Sequence, residues 1–232
     1  MIAENIKKIQ NSITQAAQRA GRNPSDIKLV AVSKRFPASA ILEAYSAGQL
    51  FFGENYIQEV QNKKESIPTE AFIHFIGHLQ TNKAKIAAET CDMIETVDRI
   101  KLGKTLNKHL NKINKTLDIL VQVNIGDDPA KSGINEHDTE DLLIQLNELN
   151  NIRVCGLMTM PPFENDPELS RPYFYKLNAL CLKMKEKGLF PDTNKPELSM
   201  GMSSDFHIAI EEGATIVRIG TAIFGNRPTT LA

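Results

Sequence analysis

The sequence has few cysteines, no surplus of either charge and no long apolar run. Each lack removes a class of protein. The three cysteines, Cys91, Cys155 and Cys181, follow no metal-type spacing. Their odd number argues against a disulfide framework and suits a reducing compartment. Lys and Arg number 27 against 28 Asp and Glu, a formal net charge of −1, so no charge excess points to nucleic acid or an anionic membrane surface. The opening "MIAENIKKIQ" lacks the apolar core of a signal peptide. No apolar stretch approaches the roughly 20 residues that span a bilayer. A cytoplasmic protein with no nucleic-acid or membrane partner is therefore expected. Linkers, repeats and low-complexity blocks are also missing, so one domain over residues 1–232 is expected. A hydrophobic content of 41% supplies a sizeable core for it.

The apolar residues that are present fall into two alternating patterns. Ile2, Ile6, Ile9, Ile13 and Ala17 share one face of an amphipathic helix that Gly21 and Asn23-Pro24 end. Short strand-like runs then cover Leu29 to Ser33, Leu50 to Gly53, Ile73 to Gly77, Met93 to Thr96, Ile119 to Asn124, Arg153 to Met158, Glu197 to Met200 and Ile216 to Ile219. Between most of them lie helical patterns such as Ala38 to Ala47, Thr139 to Leu149 and Arg171 to Lys187. In the lysine-rich stretch from Lys101 to Lys115, Leu102, Leu106, Leu110 and Ile113 fall at helical spacing, which puts its lysines on a solvated face. About eight β/α alternations imply a parallel sheet, because parallel neighbours need helical crossovers. A single (β/α)8 barrel of the TIM type fits that count, with an open doubly wound sheet as the alternative.

In a barrel, the C-terminal strand ends form the rim where chemistry is done. Lys34 ends the first apolar run, in "KLVAVSKRFP". It is either a solvated strand end, its stem lying on apolar surface, or an amine held at the mouth of a core. Glu54 with Asn55 and Asn124 also end strands, and His74 lies inside one. In "LSMGMSSDFHIAIEEG", Gly201 permits a tight turn and Ser203-Ser204-Asp205 opens a helix. The last strand leads to a second small-residue turn at Gly220-Thr221. Free amides at helix starts donate to phosphate, and in barrels the loops after strands seven and eight frequently bind one. Arg218, inside the last apolar run, needs a partner if buried. That partner is either Glu54, in a structural ion pair, or a ligand over the barrel mouth. Lysine, phosphate turns and inward arginine together suit pyridoxal phosphate chemistry: a Schiff-base amine, an anion cup and a charged residue at the pyridine nitrogen.

The motifs carry a resemblance. "AVSK" (Ala31 to Lys34), "FGENYIQE" (Phe52 to Glu59), "HFIGHLQTNK" (His74 to Lys83), "KSGI" (Lys131 to Ile134), "GLMTM" (Gly156 to Met160), "LSMGMSSD" (Leu198 to Asp205) and "VRIGTAIFG" (Val217 to Gly225) occur in that order. In this the chain resembles the pyridoxal phosphate homeostasis proteins (YggS-like or PROSC family) over nearly its whole length. The resemblance implies a barrel similar to the N-terminal domain of alanine racemase, with pyridoxal 5'-phosphate bound as an aldimine. It makes Lys34 the Schiff-base lysine and Arg218 the group facing the pyridine nitrogen. Ser199, Ser203, Gly220 and Thr221 would surround the phosphate, and Asn55, His74 and Met158 would line the pocket.

The family is understood to bind the cofactor and to act in vitamin B6 and amino-acid homeostasis without a clear catalytic reaction. Apo forms of pyridoxal phosphate-dependent enzymes are possible acceptors, and a monomer is expected. An arginine facing the ring nitrogen would keep it unprotonated, which weakens the ring as an electron sink. Racemases also take a tyrosine base from an added β-domain. Here the sequence ends seven residues after Gly225, and Tyr45, Tyr56, Tyr173 and Tyr175 are not obvious replacements. The competing expectations are a fold-type III enzyme such as an amino-acid racemase, or a Schiff-base aldolase without cofactor. A ligand-free interaction module would leave Lys34 and both phosphate turns without a role.

Overall fold

Alternation of buried residues along each strand shows how the sheet is used. The computed structural model describes residues 1–129, 131–162, 165–191 and 193–226. On β1 (Lys28–Val32), Leu29 and Ala31 face the large core between sheet and helices, while Val30 faces a second, smaller one. The smaller core also holds Met93, Leu120, Cys155, Met158 and Ile216. A period of two in a strand buried on both faces requires two apolar layers, and closure of the sheet supplies the inner one.

The strands follow as β2 (Phe51–Glu54), β3 (Phe72–Phe75), β4 (Met93–Val97), β5 (Leu117–Asn124), β6 (Ile134–Asn135), β7 (Ile152–Met158), β8 (Glu197–Ser199) and β9 (Ile216–Ile219). All pairings are parallel, and the β1–β9 and β4–β5 pairs complete a ring of eight strands. The expected barrel is thus formed, and the open doubly wound sheet is not. The two-residue β6, in the "KSGI" stretch, pairs with the end of β5 outside that ring and was not expected from its sequence.

Helices α2 (Ala38–Ser46), α3 (Ile57–Lys63), α4 (Ala84–Thr90), α5 (Ile100–Lys112), α6 (Thr139–Asn147), α7 (Arg171–Glu186), α8 (Phe206–Glu211) and α9 (Thr221–Phe224) alternate with the strands. The N-terminal α1 (Ile2–Arg19) buries Ile6, Ile13, Ala16 and Ala17 against its neighbours. It packs beside α2, α8 and α9. Arg22 then donates to the carbonyls of Ile210 and Ala214, at 2.7 and 2.8 Å, tying the first turn of the chain to the end of α8. Along α5, Leu102, Leu106 and Leu110 are buried as their spacing requires, but Ile113 is exposed. Lys115 departs from the solvated face expected of that stretch: its ammonium donates to the carbonyls of Ala88 and Cys91 at 3.1 and 2.7 Å. Among the described residues no helix is long and apolar enough to cross a membrane.

Candidate functional site

The site is built at the C-terminal ends of the barrel strands. Six of the expected residues, Lys34, Asn55, Ser203, Arg218, Gly220 and Thr221, surround one cavity of about 140 Å³. Val32, Ile76, Met160 and Met202 supply its apolar wall. Met160 and Met202 stand within motifs noted in the sequence, yet nothing in a lone methionine marks it as wall rather than core. The other three expected residues lie elsewhere. Ser199 and Met158 are fully buried and His74 nearly so, and none of them lines the cavity. Of the four tyrosines, none lines it either.

Lys34 reaches the rim because the strand ends in a sharp turn. The Ser33 amide still donates to Gly53 in β2 at 3.0 Å, and the Phe36 amide turns back to the Ser33 carbonyl at 3.1 Å. Arg35 has φ of 64°, a left-handed conformation that costs a non-glycine residue roughly 1–2 kcal/mol. Pro37, as N-cap of α2, then starts the helix. Lys34 is half-buried.

Asn55 continues directly from β2. Its side-chain Oδ1 is buried and has no hydrogen-bond partner among the described residues. The backbone there sits close to Gly77: a Cβ on Gly77 would lie 2.1 Å from the Asn55 carbonyl oxygen. Any larger residue at 77 would push Asn55 out of the cavity wall.

Arg218 is buried in β9 and held from below. Its guanidinium donates to the Ser199 hydroxyl and, at 2.8 Å, to the Thr159 carbonyl. Ser199 donates in turn to Glu95 Oε2, and the guanidinium lies 3.9 Å from that oxygen. His74 Nδ1 meets the other carboxylate oxygen at 2.6 Å. Burial pushes the Glu95 carboxyl up, but His74, Arg218 and Ser199 outweigh it and hold the group below its ordinary range. Burial pulls the Arg218 guanidinium down, against the carboxylates of Glu95 and Asp205. The structural partner of Arg218 is therefore Glu95, not Glu54 as the sequence suggested. Glu54 is engaged by Lys63 at 2.8 Å and by the Ser33 hydroxyl at 2.8 Å. Glu95 was missed although "MIETV" carried a signal, since a carboxylate inside a buried strand demands a partner.

Two turns, after β8 and β9, complete the rim beside β1. Gly201 has φ of 88°, and a Cβ there would lie 2.9 Å from the Phe206 backbone. Asp205 does not cap α8 with its side chain; its carboxylate accepts from the Met202 amide at 2.6 Å, closing a turn around Ser203 and Ser204. Gly220 is the N-cap of α9 and its carbonyl accepts from Ile223 and Phe224. The amides of Thr221 and Ala222 head that helix and so have no acceptor within it. Among the described residues no group of three or more His, Cys, Asp or Glu is arranged to hold a metal ion.

Barrel, rim lysine and paired glycine turns define the class. The family model "Alanine racemase, N-terminal domain" matches residues 4–228. Alanine racemase from Clostridium difficile superposes with a TM-score of 0.70 at 18% identity, over 97% of this chain and 58% of that one, a likeness of fold. The chain belongs, more narrowly, to the pyridoxal phosphate homeostasis proteins. The protein of that name from Aquifex aeolicus is 41% identical over 225 residues, with 97% of each chain covered. PipY from Synechococcus elongatus, solved with pyridoxal phosphate bound, matches with a TM-score of 0.82 and 33% identity, over 97% of this chain and 100% of that one.

Proposed function

We propose that this chain binds pyridoxal 5'-phosphate through Lys34 and carries it in vitamin B6 and amino-acid homeostasis, with no reaction of its own on amino acids. The observation that carries this reading is the set of groups around one cavity: an amine, a buried guanidinium, two small-residue turns and an orphaned amide oxygen. That set fits the cofactor, which offers an aldehyde for an amine, a ring nitrogen and a phosphate for a donor, and a ring hydroxyl for an acceptor. The family membership and the cofactor-bound PipY support the same reading.

When bound, pyridoxal phosphate supplies a reactive aldehyde and an electron-withdrawing ring. Lys34 would hold it covalently through its aldehyde carbon. Ser203, Gly220 and Thr221 would hold the phosphate, each charge-assisted hydrogen bond contributing about 1.5–3 kcal/mol. Ser199, His74 and Met158 would act from beneath, Ser199 by fixing Arg218. A guanidinium has donors only and gives up no proton near neutrality, so Arg218 can donate to a ring nitrogen but cannot protonate it. None of the four tyrosines lies in the cavity wall to serve as a base. This supports a carrier over a racemase.

A single domain, a monomer, a cytoplasmic location and transfer to apo enzymes that use the cofactor complete the proposal. The test is borohydride trapping with pyridoxal phosphate, followed by mass mapping. The adduct should sit on Lys34 and vanish in Lys34→Ala; an adduct on another lysine with Lys34 unmodified overturns the assignment. Pyridoxal, lacking the phosphate, should bind far more weakly, and equal affinity would remove the phosphate site. Loaded protein should exchange little of the α-proton of L-alanine in deuterated water. Inversion at an ordinary enzyme turnover of about 10 s⁻¹ would establish the racemase instead.

A further inference from the structure

We propose that Lys63, together with Glu59, is a positioning residue for Lys34: it clamps the turn on both sides of that lysine. The proposal rests on the reading of Lys34 as the cofactor's anchor. Lys63 ends α3, outside the cavity, and its side chain is only 11% exposed. Its ammonium donates to Glu54 Oε1 at 2.8 Å, to Glu59 Oε2 at 3.2 Å and to the Ser33 carbonyl at 3.3 Å. Glu54 accepts from the Ser33 hydroxyl at 2.8 Å, and Glu59 accepts from the Arg35 amide at 2.8 Å. Residues 33 and 35, immediately before and after Lys34, are thereby tied to one ammonium and its two carboxylates.

Such a device matters because the turn's own hydrogen bond, from the Phe36 amide to the Ser33 carbonyl, closes over a costly backbone conformation. Arg35 occupies a left-handed conformation that non-glycine residues visit sparsely. Relaxation there would rotate the peptide that follows Lys34 and change where its amine points. Placing charged groups under cover costs desolvation, and most of this cluster is removed from water: Glu54 is fully buried and Glu59 is 28% exposed. Outside the cluster its hydrogen bonds run to the Ser33 hydroxyl, the Ser33 carbonyl and the Arg35 amide, and among the described residues Lys63 donates to no cavity-lining group. A reactive amine must be held in a near-attack geometry, and small misplacements cost rate steeply.

The clamp reaches the Lys34 turn from the β2 flank of β1, whereas the phosphate turns follow β8 and β9 on its other flank, and among the described residues Lys63 and Glu59 make no hydrogen bond to those turns. This separates two measurements on the full chain. Covalent loading is read by borohydride trapping against time with pyridoxal phosphate. Affinity without a covalent bond is read by titration with pyridoxine 5'-phosphate, which has no aldehyde. Lys63→Met and Glu59→Ala each cut one tie between the cluster and the backbone of the Lys34 turn, and each should slow loading of Lys34 about tenfold, the worth of one hydrogen bond to a charged group. Affinity for pyridoxine 5'-phosphate should stay within about twofold, and Lys63→Arg should restore most of the loading rate. In cofactor-free protein the Arg35 and Phe36 amides should exchange faster in both loss variants.

Loading at the wild-type rate in both loss variants overturns the proposal, and so do equal losses of loading and of pyridoxine 5'-phosphate affinity, which mean a general lesion. If Lys63→Met does not fold, Glu59→Ala, at a partly exposed position, decides the question alone. Wild-type protein that forms no adduct on Lys34 instead removes the anchor assignment, while amide exchange still reads the clamp.

Discussion

Glu54 and Glu95 are the same residue type, both with side chains removed from water, and their carboxyls are displaced in opposite directions. Burial raises both. At Glu95 the two oxygens are answered by His74 and Ser199, with Arg218 beyond, and the carboxyl ends below its ordinary range. At Glu54 the same Oε1 takes both Lys63 and Ser33, while Oε2 has no partner among the described residues. There burial wins and the carboxyl is raised. What separates the two directions is therefore whether the donors reach both oxygens or crowd onto one, more than how deep the carboxyl lies. The two clusters also divide the candidate site: one fixes Arg218 under the cavity, the other flanks Lys34.

The largest effect that would break this comparison is expected at Glu95. Glu95→Gln removes the compensating charge from the buried Arg218, and stripping one partner of a buried pair costs about 3–5 kcal/mol. Urea unfolding should show that loss, whereas a change under about 1 kcal/mol would mean that Arg218 does not depend on Glu95. Glu54→Gln should cost no more than about 1.5 kcal/mol, because the amide keeps an acceptor for Lys63 and relieves the desolvation of a charge.

A middle-sized effect lies in the pH dependence, where the two carboxyls carry opposite signs. Glu95, held low, contributes stability that is present above its unfolded value of about 4.5 and lost as pH falls through its folded value. Glu54, held high, contributes stability that is present below about 4.5 and lost as pH rises through its folded value. Unfolding titrations from acid to neutral pH should show wild type gaining on Glu95→Gln, and losing ground to Glu54→Gln, as pH rises. Parallel curves for the two variants would erase the distinction. The smallest effect sets the baseline. Lys187→Ala removes a partly exposed pair with Glu140 and should cost no more than about 1 kcal/mol, screened by salt; a larger loss in thermal unfolding would show that ion pairs here do not sort by burial.

The barrel was legible because its signals are local. Strand runs such as Leu29 to Ser33 and Ile216 to Ile219 fall within a residue or two of β1 and β9, since an apolar period needs no partner to be seen. Helix ends followed the same logic at Gly21, whose φ is 65°. The two-residue β6 escaped because it has no apolar run of its own and exists through pairing with β5. Lys115 escaped because a lysine beside an exposed face looks solvated until a neighbouring helix ends with free carbonyls beneath it.

By itself the sequence determined the alternation of strand and helix, the glycine and serine turns at the C-terminal end, and the motifs that relate the chain to its family. Each depends on chemistry within a few neighbouring residues. Only the tertiary structure decided that Arg218 pairs with Glu95 and not Glu54, and that Ser199 and His74 lie beneath the cavity. It also decided that Lys63 reaches the turn around Lys34. Those outcomes depend on which face of a closed sheet each side chain occupies and on which donor lies within reach of a buried charge, and partners 21 to 123 residues apart in the chain meet only when the barrel closes.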